Sequence, residues 1–256
     1  SGWDEALKVS QSLTGKSLPL SRLLQDAIGY ADNGIPVTAS QASATAGKLD
    51  ELQHQPGFAE TFLVNGRPPE SGSRFCQPAL ASTLKRLVAE GLDSFYRGSL
   101  AEQLAAGMAR YGLPITLDDL RQHRARRPQP LRLQHQHGEL WNLAPPTQGL
   151  VSLAILGITD RLAMEQADDA QTIHRIVEAT KLAFSLRDKH ITDPLHLDVD
   201  IQSLLSPQAL QPLAEKIDDQ RAAPWGAGKG PGDTVWMGVM DSSGLAVSFI
   251  QDRKSV

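Results

Sequence analysis

Gly226-Ala-Gly-Lys-Gly-Pro-Gly-Asp233 runs straight into Thr234-Val-Trp-Met-Gly-Val-Met-Asp241 and then Ser242-Ser-Gly-Leu-Ala-Val-Ser-Phe-Ile-Gln251. Four glycines and a proline between positions 226 and 232 give a segment that holds neither helix nor strand. Behind it, Thr234 to Met240 and Leu245 to Ile250 are β-rich runs around the turn signal Asp241-Ser-Ser-Gly244, which predicts a hairpin. A glycine-rich loop therefore delivers one hydroxyl residue, Thr234, to the first position of a strand.

Chemically, this arrangement suits a chain that cuts itself. Attack of the Thr234 hydroxyl on the carbonyl of Asp233 turns a peptide bond into an ester that water can split, leaving Thr234 as a new N-terminus. Its freed α-amine, with an ordinary pKa of about 7.7–8.0, is then a base within reach of its own hydroxyl. Local composition alone favours the plainer explanation, a threonine opening a strand through β-propensity behind a structural linker. A phosphate loop is excluded, because Gly230 rather than Ser or Thr follows Lys229, no strand precedes the loop and no helix follows it.

The rest of the chain carries a resemblance that changes this balance. Gly2-Trp-Asp-Glu-Ala-Leu7, Leu23-Leu-Gln-Asp-Ala-Ile28, Asn33-Gly-Ile-Pro-Val37, Gln77-Pro-Ala-Leu-Ala81 and Asp93-Ser-Phe-Tyr-Arg-Gly98 come first. Ile115-Thr-Leu-Asp-Asp-Leu120, Ala144-Pro-Pro-Thr-Gln-Gly149, Glu178-Ala-Thr-Lys-Leu-Ala-Phe184 and Arg187-Asp-Lys-His-Ile-Thr-Asp-Pro194 follow. In this order they resemble the γ-glutamyltranspeptidase family of N-terminal-nucleophile hydrolases. Thr234, Asp241, Gly244, Ala246 and Val247 match, position by position, the pattern that opens that family's small subunit.

The resemblance implies an α/β fold, the four-layer αββα sandwich of these hydrolases, of which this chain supplies mostly helices and a late β-hairpin. It implies Thr234 as catalytic nucleophile, autocleavage between Asp233 and Thr234, residues 1–233 as the C-terminal part of a large subunit, and 234–256 as the start of a small one. The implied partners are a small-molecule amide substrate and the chain's own small subunit after cleavage; self-association into a homo-oligomer is left open. No cofactor is implied.

The sequence also departs from the transferase pattern. Thr234-Val235-Trp236 stands where γ-glutamyl transferases carry Thr-Thr-His, which is closer to the acylase and oxamate-amidohydrolase branch. The transferases' carboxylate-binding arginine lies upstream of these residues and their Gly-Gly and Ser-Ser motifs lie downstream, so no substrate-binding residue is assigned. Asp252 takes the place of a hydroxyl residue. The expectation is a piece of a longer amidohydrolase that prefers hydrolysis to transfer, acting on γ-glutamyl, oxamate-like or β-lactam side-chain amides. The alternatives are a γ-glutamyl transferase proper, or an inactive piece serving as a structural or interaction module.

Composition is compatible with this. Of 256 residues 41% are hydrophobic and 21% charged, a globular balance, and a formal charge of −4 gives no reason to expect nucleic acid or an acidic membrane as partner. No run of about 18 apolar residues suggests a membrane span. The first residues have neither the basic nor the apolar region of a signal peptide. The native start is expected upstream and the address cytoplasmic, with the periplasm as alternative. Cys76 is the single cysteine, so no intrachain disulfide or thiolate zinc site is expected, and a buried or incidental thiol is.

Periodicity predicts helices over Asp4 to Ser12, Leu20 to Asn33 with a buried stripe Leu20, Leu23, Leu24, Ala27 and Ile28, and Ser40 to Gln55. Gly57 to Arg74 reads as a loop. A helix after Pro78 should bury Leu80, Leu84, Leu87 and Val88 and end at Gly91, and another carries Leu100, Leu104 and Met108. Thr116-Leu-Asp-Asp119 reads as a capping box, which accounts for both carboxylates without catalysis. Arg121, Arg124, Arg126 and Arg127 around His123 read as a solvated helix end.

Leu131 to Gln134 and Glu139 to Leu143 predict a second hairpin whose His135 and His137 are solvated, with no metal expected for want of a third ligand. An apolar core helix is predicted over Leu150 to Leu162. A longer one, Thr172 to His190, should bury Ile173, Ile176, Val177, Thr180, Ala183 and Phe184 and show Glu178 and Lys181 as a surface pair. Ser203 to Gln220 predicts a helix interrupted at Pro207 and Pro212.

Overall fold

The computed structural model describes residues 1–225 and 234–252. They fall into two compact units, divided between Arg126 and Arg127. The expected boundary between residues 233 and 234 is of another kind, a covalent one, and Asp233 and the glycine-rich loop lie outside the described residues.

The first unit contains α1 (Gly2–Thr14), α2 (Leu20–Asn33), β1 (Ile35–Pro36), α3 (Ala39–Gly47), α4 (Leu49–Leu52) and α5 (Phe58–Phe62). It continues with β2 (Arg74–Phe75), α6 (Pro78–Glu90), α7 (Ser94–Arg97), α8 (Ser99–Arg110) and α9 (Leu117–Gln122). The segment from 57 to 74 is broken up as expected, although it includes the one-turn α5, whose Phe58 is buried.

α2 has the predicted bounds, closed by Gly34 at φ 86°. α1 starts earlier than predicted, with Ser1 at the N-cap, and Asp4 and Glu5 sit in its first turn, where the helix dipole favours carboxylates. The core is Leu84, Leu87, Leu92 and Leu100, with Leu7, Leu20, Leu24, Ile28, Phe95 and Leu104 packed around it. Leu23, Ala27 and Leu80, expected inside, lie on exposed flanks of their helices. Thr116 forms the expected capping box: its Oγ1 accepts from the Asp119 amide at 3.2 Å while Asp119 accepts from the Thr116 amide at 2.7 Å.

The second unit holds β3 (Leu131–His135), β4 (Gly138–Asn142), α10 (Gly149–Thr159), α11 (Asp169–His190), α12 (Pro207–Ala214), β5 (Thr234–Met240) and β6 (Ala246–Asp252). Short 3-10 turns cover Met164–Gln166, Pro194–His196 and Ile201–Leu205. The apolar α10 is its centre: Leu150, Val151, Leu153, Ala154 and Ile158 pack with Leu131 and Leu133 of β3, Ala179 and Ala183 of α11, and Leu210 of α12.

Two glycines permit this packing. A Cβ on Gly149 would stand 2.0 Å from the Leu143 carbonyl oxygen, and one on Gly157 would stand 2.6 Å from Leu210 Cδ1. α11 begins earlier than predicted because Asp168 caps it, accepting from the Gln171 amide at 2.8 Å. Pro207 opens α12 rather than interrupting it, while Pro212 lies inside. Among the described residues each sheet is a two-stranded antiparallel ladder, so this chain is mostly helical with a late hairpin, as expected. No described helix is long and apolar enough to cross a membrane.

Candidate functional site

Thr234 is the first residue of β5, and its register partner in β6 is Asp252. The ladder runs in phase from there to Met240 opposite Ala246. The turn between the strands is built by Asp241, whose Oδ1 accepts from the Ser243 amide at 2.8 Å, the Ser243 hydroxyl at 2.6 Å and the Leu245 amide at 3.1 Å. Led by the Ser243 hydroxyl, these donors hold the Asp241 carboxyl below the ordinary carboxylate value. Gly244, at φ 86°, supplies the left-handed residue that closes the turn. Two of the positions that matched the family pattern, 241 and 244, thus have a local physical reason.

Trp236 is two residues beyond Thr234 in the same strand. Its indole donates to Ser248 Oγ at 2.9 Å across the ladder and lies over Gly238, where an added Cβ would come within 2.6 Å of the ring. Val235, Trp236, Met237, Val239, Met240, Val247 and Ile250 are all exposed.

Upstream, α11 holds the chain that leads toward this strand. His174 Nε2 is 2.9 Å from the Asp218 carbonyl oxygen, and Arg175 grips the Asp219 carboxylate with both Nε and Nη2. Further along the helix, Lys181 Nζ donates to Glu178 Oε1 at 2.6 Å and to the Ala223 carbonyl at 2.6 Å, while the Ala223 amide donates to Glu178 Oε2 at 3.2 Å. Glu178 and Lys181 form the i, i+3 pair predicted, but not on the surface: their side chains are 6% and 15% exposed.

Burial pushes the Glu178 carboxyl up, but the hydrogen bond from Lys181, that from Ala223 and the Lys181 and His174 charges outweigh it and hold the group below its ordinary value. The Trp225 ring then meets Phe184 at 5.8 Å, with the Arg187 guanidinium 4.1 Å from the Phe184 ring centre.

Other sequence expectations are corrected. His135 is not solvated, since it faces Asp160 at 3.4 Å with a side chain 12% exposed; His137 stays exposed and meets the His135 ring at 5.3 Å. Among the described residues no group of three His, Cys, Asp or Glu could hold a metal ion. Cys76, expected as a buried or incidental thiol, is exposed. The arginines around His123 do sit at a helix end: Arg124 Nη1 donates to the His123 carbonyl at 2.8 Å, and Arg97 Nη1 to the Arg121 and His123 carbonyls at 3.1 Å each.

Comparison with known proteins extends these observations. The chain is 75% identical, over 98% of its length and 48% of the relative's, to an oxamate amidohydrolase proenzyme of Klebsiella pneumoniae subsp. pneumoniae. It is 32% identical, over 97% of its length and 47% of the relative's, to the glutathione hydrolase-like YwrD proenzyme of Bacillus subtilis. The crystal structure of cephalosporin acylase from Bacillus halodurans superimposes with a TM-score of 0.82 at 33% identity, covering 92% of this chain and 44% of that one. This likeness bears out the expected fold class, that of the N-terminal-nucleophile hydrolases. The chain spans about half the length of the curated relatives it matches. The family model for gamma-glutamyltranspeptidase aligns with residues 1–253, and the chain belongs to that family.

Proposed function

We propose that these residues are part of a self-processing amidohydrolase whose nucleophile is Thr234. The observation that carries this reading is the position of Thr234, first in β5 behind a glycine-rich linker, in a chain 75% identical to an oxamate amidohydrolase proenzyme. In self-processing, a bond forms from the Thr234 hydroxyl oxygen to the Asp233 carbonyl carbon while the C–N bond breaks. The hydroxyl proton goes to the departing amine, and water splits the resulting ester.

The freed α-amine then serves each turnover. It takes the hydroxyl proton as Thr234 attacks an amide carbonyl, passes it to the leaving ammonia or amine, and activates the water that releases the acid from the acyl-enzyme. The substrate is a small oxamate-like amide. Hydrolysis, rather than transfer to an acceptor amine, fits Trp236 standing where the transferases have histidine.

The experiment is to incubate full-length, fully cleaved protein with oxamate and, separately, with a γ-glutamyl anilide. Ammonia and oxalate from oxamate, with slow anilide turnover, are the expected result. Anilide turnover with no ammonia from oxamate would place the enzyme among the glutamyl-specific members.

A further inference from the structure

We propose that Glu178 and Lys181 are positioning residues for self-processing: they dock the chain at Ala223 and so fix the starting point of the linker that presents the Asp233–Thr234 bond. The proposal rests on the reading of Thr234 as a self-cleaving nucleophile. It adds a place on the large subunit where that reaction is set up.

The geometry is specific in polarity. Glu178 has two oxygens, one used by Lys181 and the other by the Ala223 N–H; Lys181 has one proton directed to Glu178 and another to the Ala223 C=O. One residue of linker backbone is thereby read on both its donor and its acceptor by a complementary pair. The pair is nearly out of solvent, whereas Ala223 is exposed. A buried ion pair contributes little to folding compared with well-packed apolar residues of the same size. Its use is better sought in what it holds, which is the chain ahead of the glycines. Trp225, two residues on, is seated against Phe184 of the same helix.

From Trp225 to Thr234 the chain spans at most roughly 30 Å, at about 3.3–3.6 Å per residue. Without this docking the next held residue is Arg221, whose amide donates to the Asp218 carbonyl at 3.2 Å, with Asp218 and Asp219 held in turn by His174 and Arg175. The separation between the last held residue and Thr234 then grows from about nine residues to about thirteen, which by loop-closure scaling slows the encounter about 1.7-fold.

The test follows cleavage of the full-length precursor in cell-free synthesis, by intact mass after timed acid quench. The apolar variant Glu178→Leu/Lys181→Met/Trp225→Ala removes the docking without stranding a buried charge, and the freed Ala223 groups take water. It should process at least about 1.7-fold more slowly than wild type, while the melting temperature, measured in a Thr234→Ala background, is retained.

The exchange Glu178→Lys/Lys181→Glu keeps an ion pair but reverses its polarity toward Ala223, so it should be slow as well. Processing of the exchange variant at the wild-type rate would overturn the proposal by showing that the pair only stabilises the helix, and so would wild-type processing by the apolar variant. Should the apolar variant fail to fold, the exchange variant decides. A wild-type precursor that stays uncut at Asp233–Thr234 sinks the nucleophile assignment itself, a result distinct from one in which all forms are cut equally fast.

Discussion

The Ala223 amide donates to Glu178 Oε2 at 3.2 Å, joining residues 45 apart in the chain. The bond ties the middle of a 22-residue helix to the segment that leads to Thr234. It also makes the docking pH-dependent. The Glu178 carboxyl is pushed up by burial and pulled down further by Lys181, the Ala223 amide and the charge of His174, so its folded pKa lies below the unfolded one. A carboxyl with a depressed pKa stabilises the fold above the unfolded value, about 4.3, and that contribution fades as the pH falls through the folded value. Denaturation of wild type and Glu178→Gln should therefore differ by a constant amount above about pH 5 and converge as the pH drops below about 4.3. A difference that widens on acidification would contradict the assignment.

Gly149→Ala tests a close approach at the head of α10. Its added Cβ would meet the Leu143 carbonyl at 2.0 Å, and backbone cannot swing aside as a side chain can. The expected loss is at least the ~1–3 kcal/mol typical of overpacking, read from denaturant midpoints of the precursor.

Leu210 of α12 is fully buried against α10, whereas Leu195 is 79% exposed. Leu210→Ala should cost about 2–5 kcal/mol and Leu195→Ala within about 0.5 kcal/mol of nothing. Equal effects in thermal denaturation would mean that the core of this unit is misplaced.

Trp236→His replaces the indole that bonds Ser248 with the ring of the transferase pattern. In the cleaved enzyme with an acceptor amine present, the share of acyl group passed to the amine should rise severalfold relative to hydrolysis. An unchanged ratio would show that selection between water and amine lies elsewhere.

Much of this fold could be read before the structure, where local chemistry was sufficient. α2 keeps both predicted ends because Gly34 and Pro36 forbid its continuation, and Thr116 with Asp119 forms its box because both bonds are local. β5 has its predicted bounds, and β6, predicted over Leu245 to Ile250, is shifted to Ala246–Asp252. α11 was harder. Its large apolar residues Ile173, Ile176 and Val177 suggested a buried stripe, yet they are exposed, and the helix approaches α10 through the small residues Ala179 and Ala183. A period of three and four cannot rank two apolar faces of one helix. The spacing of Glu178 and Lys181 was legible; their burial was not, since it depends on Ala223, 45 residues on in sequence. His135 was missed for the same reason, its partner Asp160 lying on another element.

The most direct measurement is the intact mass of the full-length protein beside a Thr234→Ala variant. The account predicts two chains from the unmutated protein, the second beginning at Thr234, and one uncut chain from the variant. A single uncut chain from both, or a cut elsewhere that survives the substitution, would contradict it.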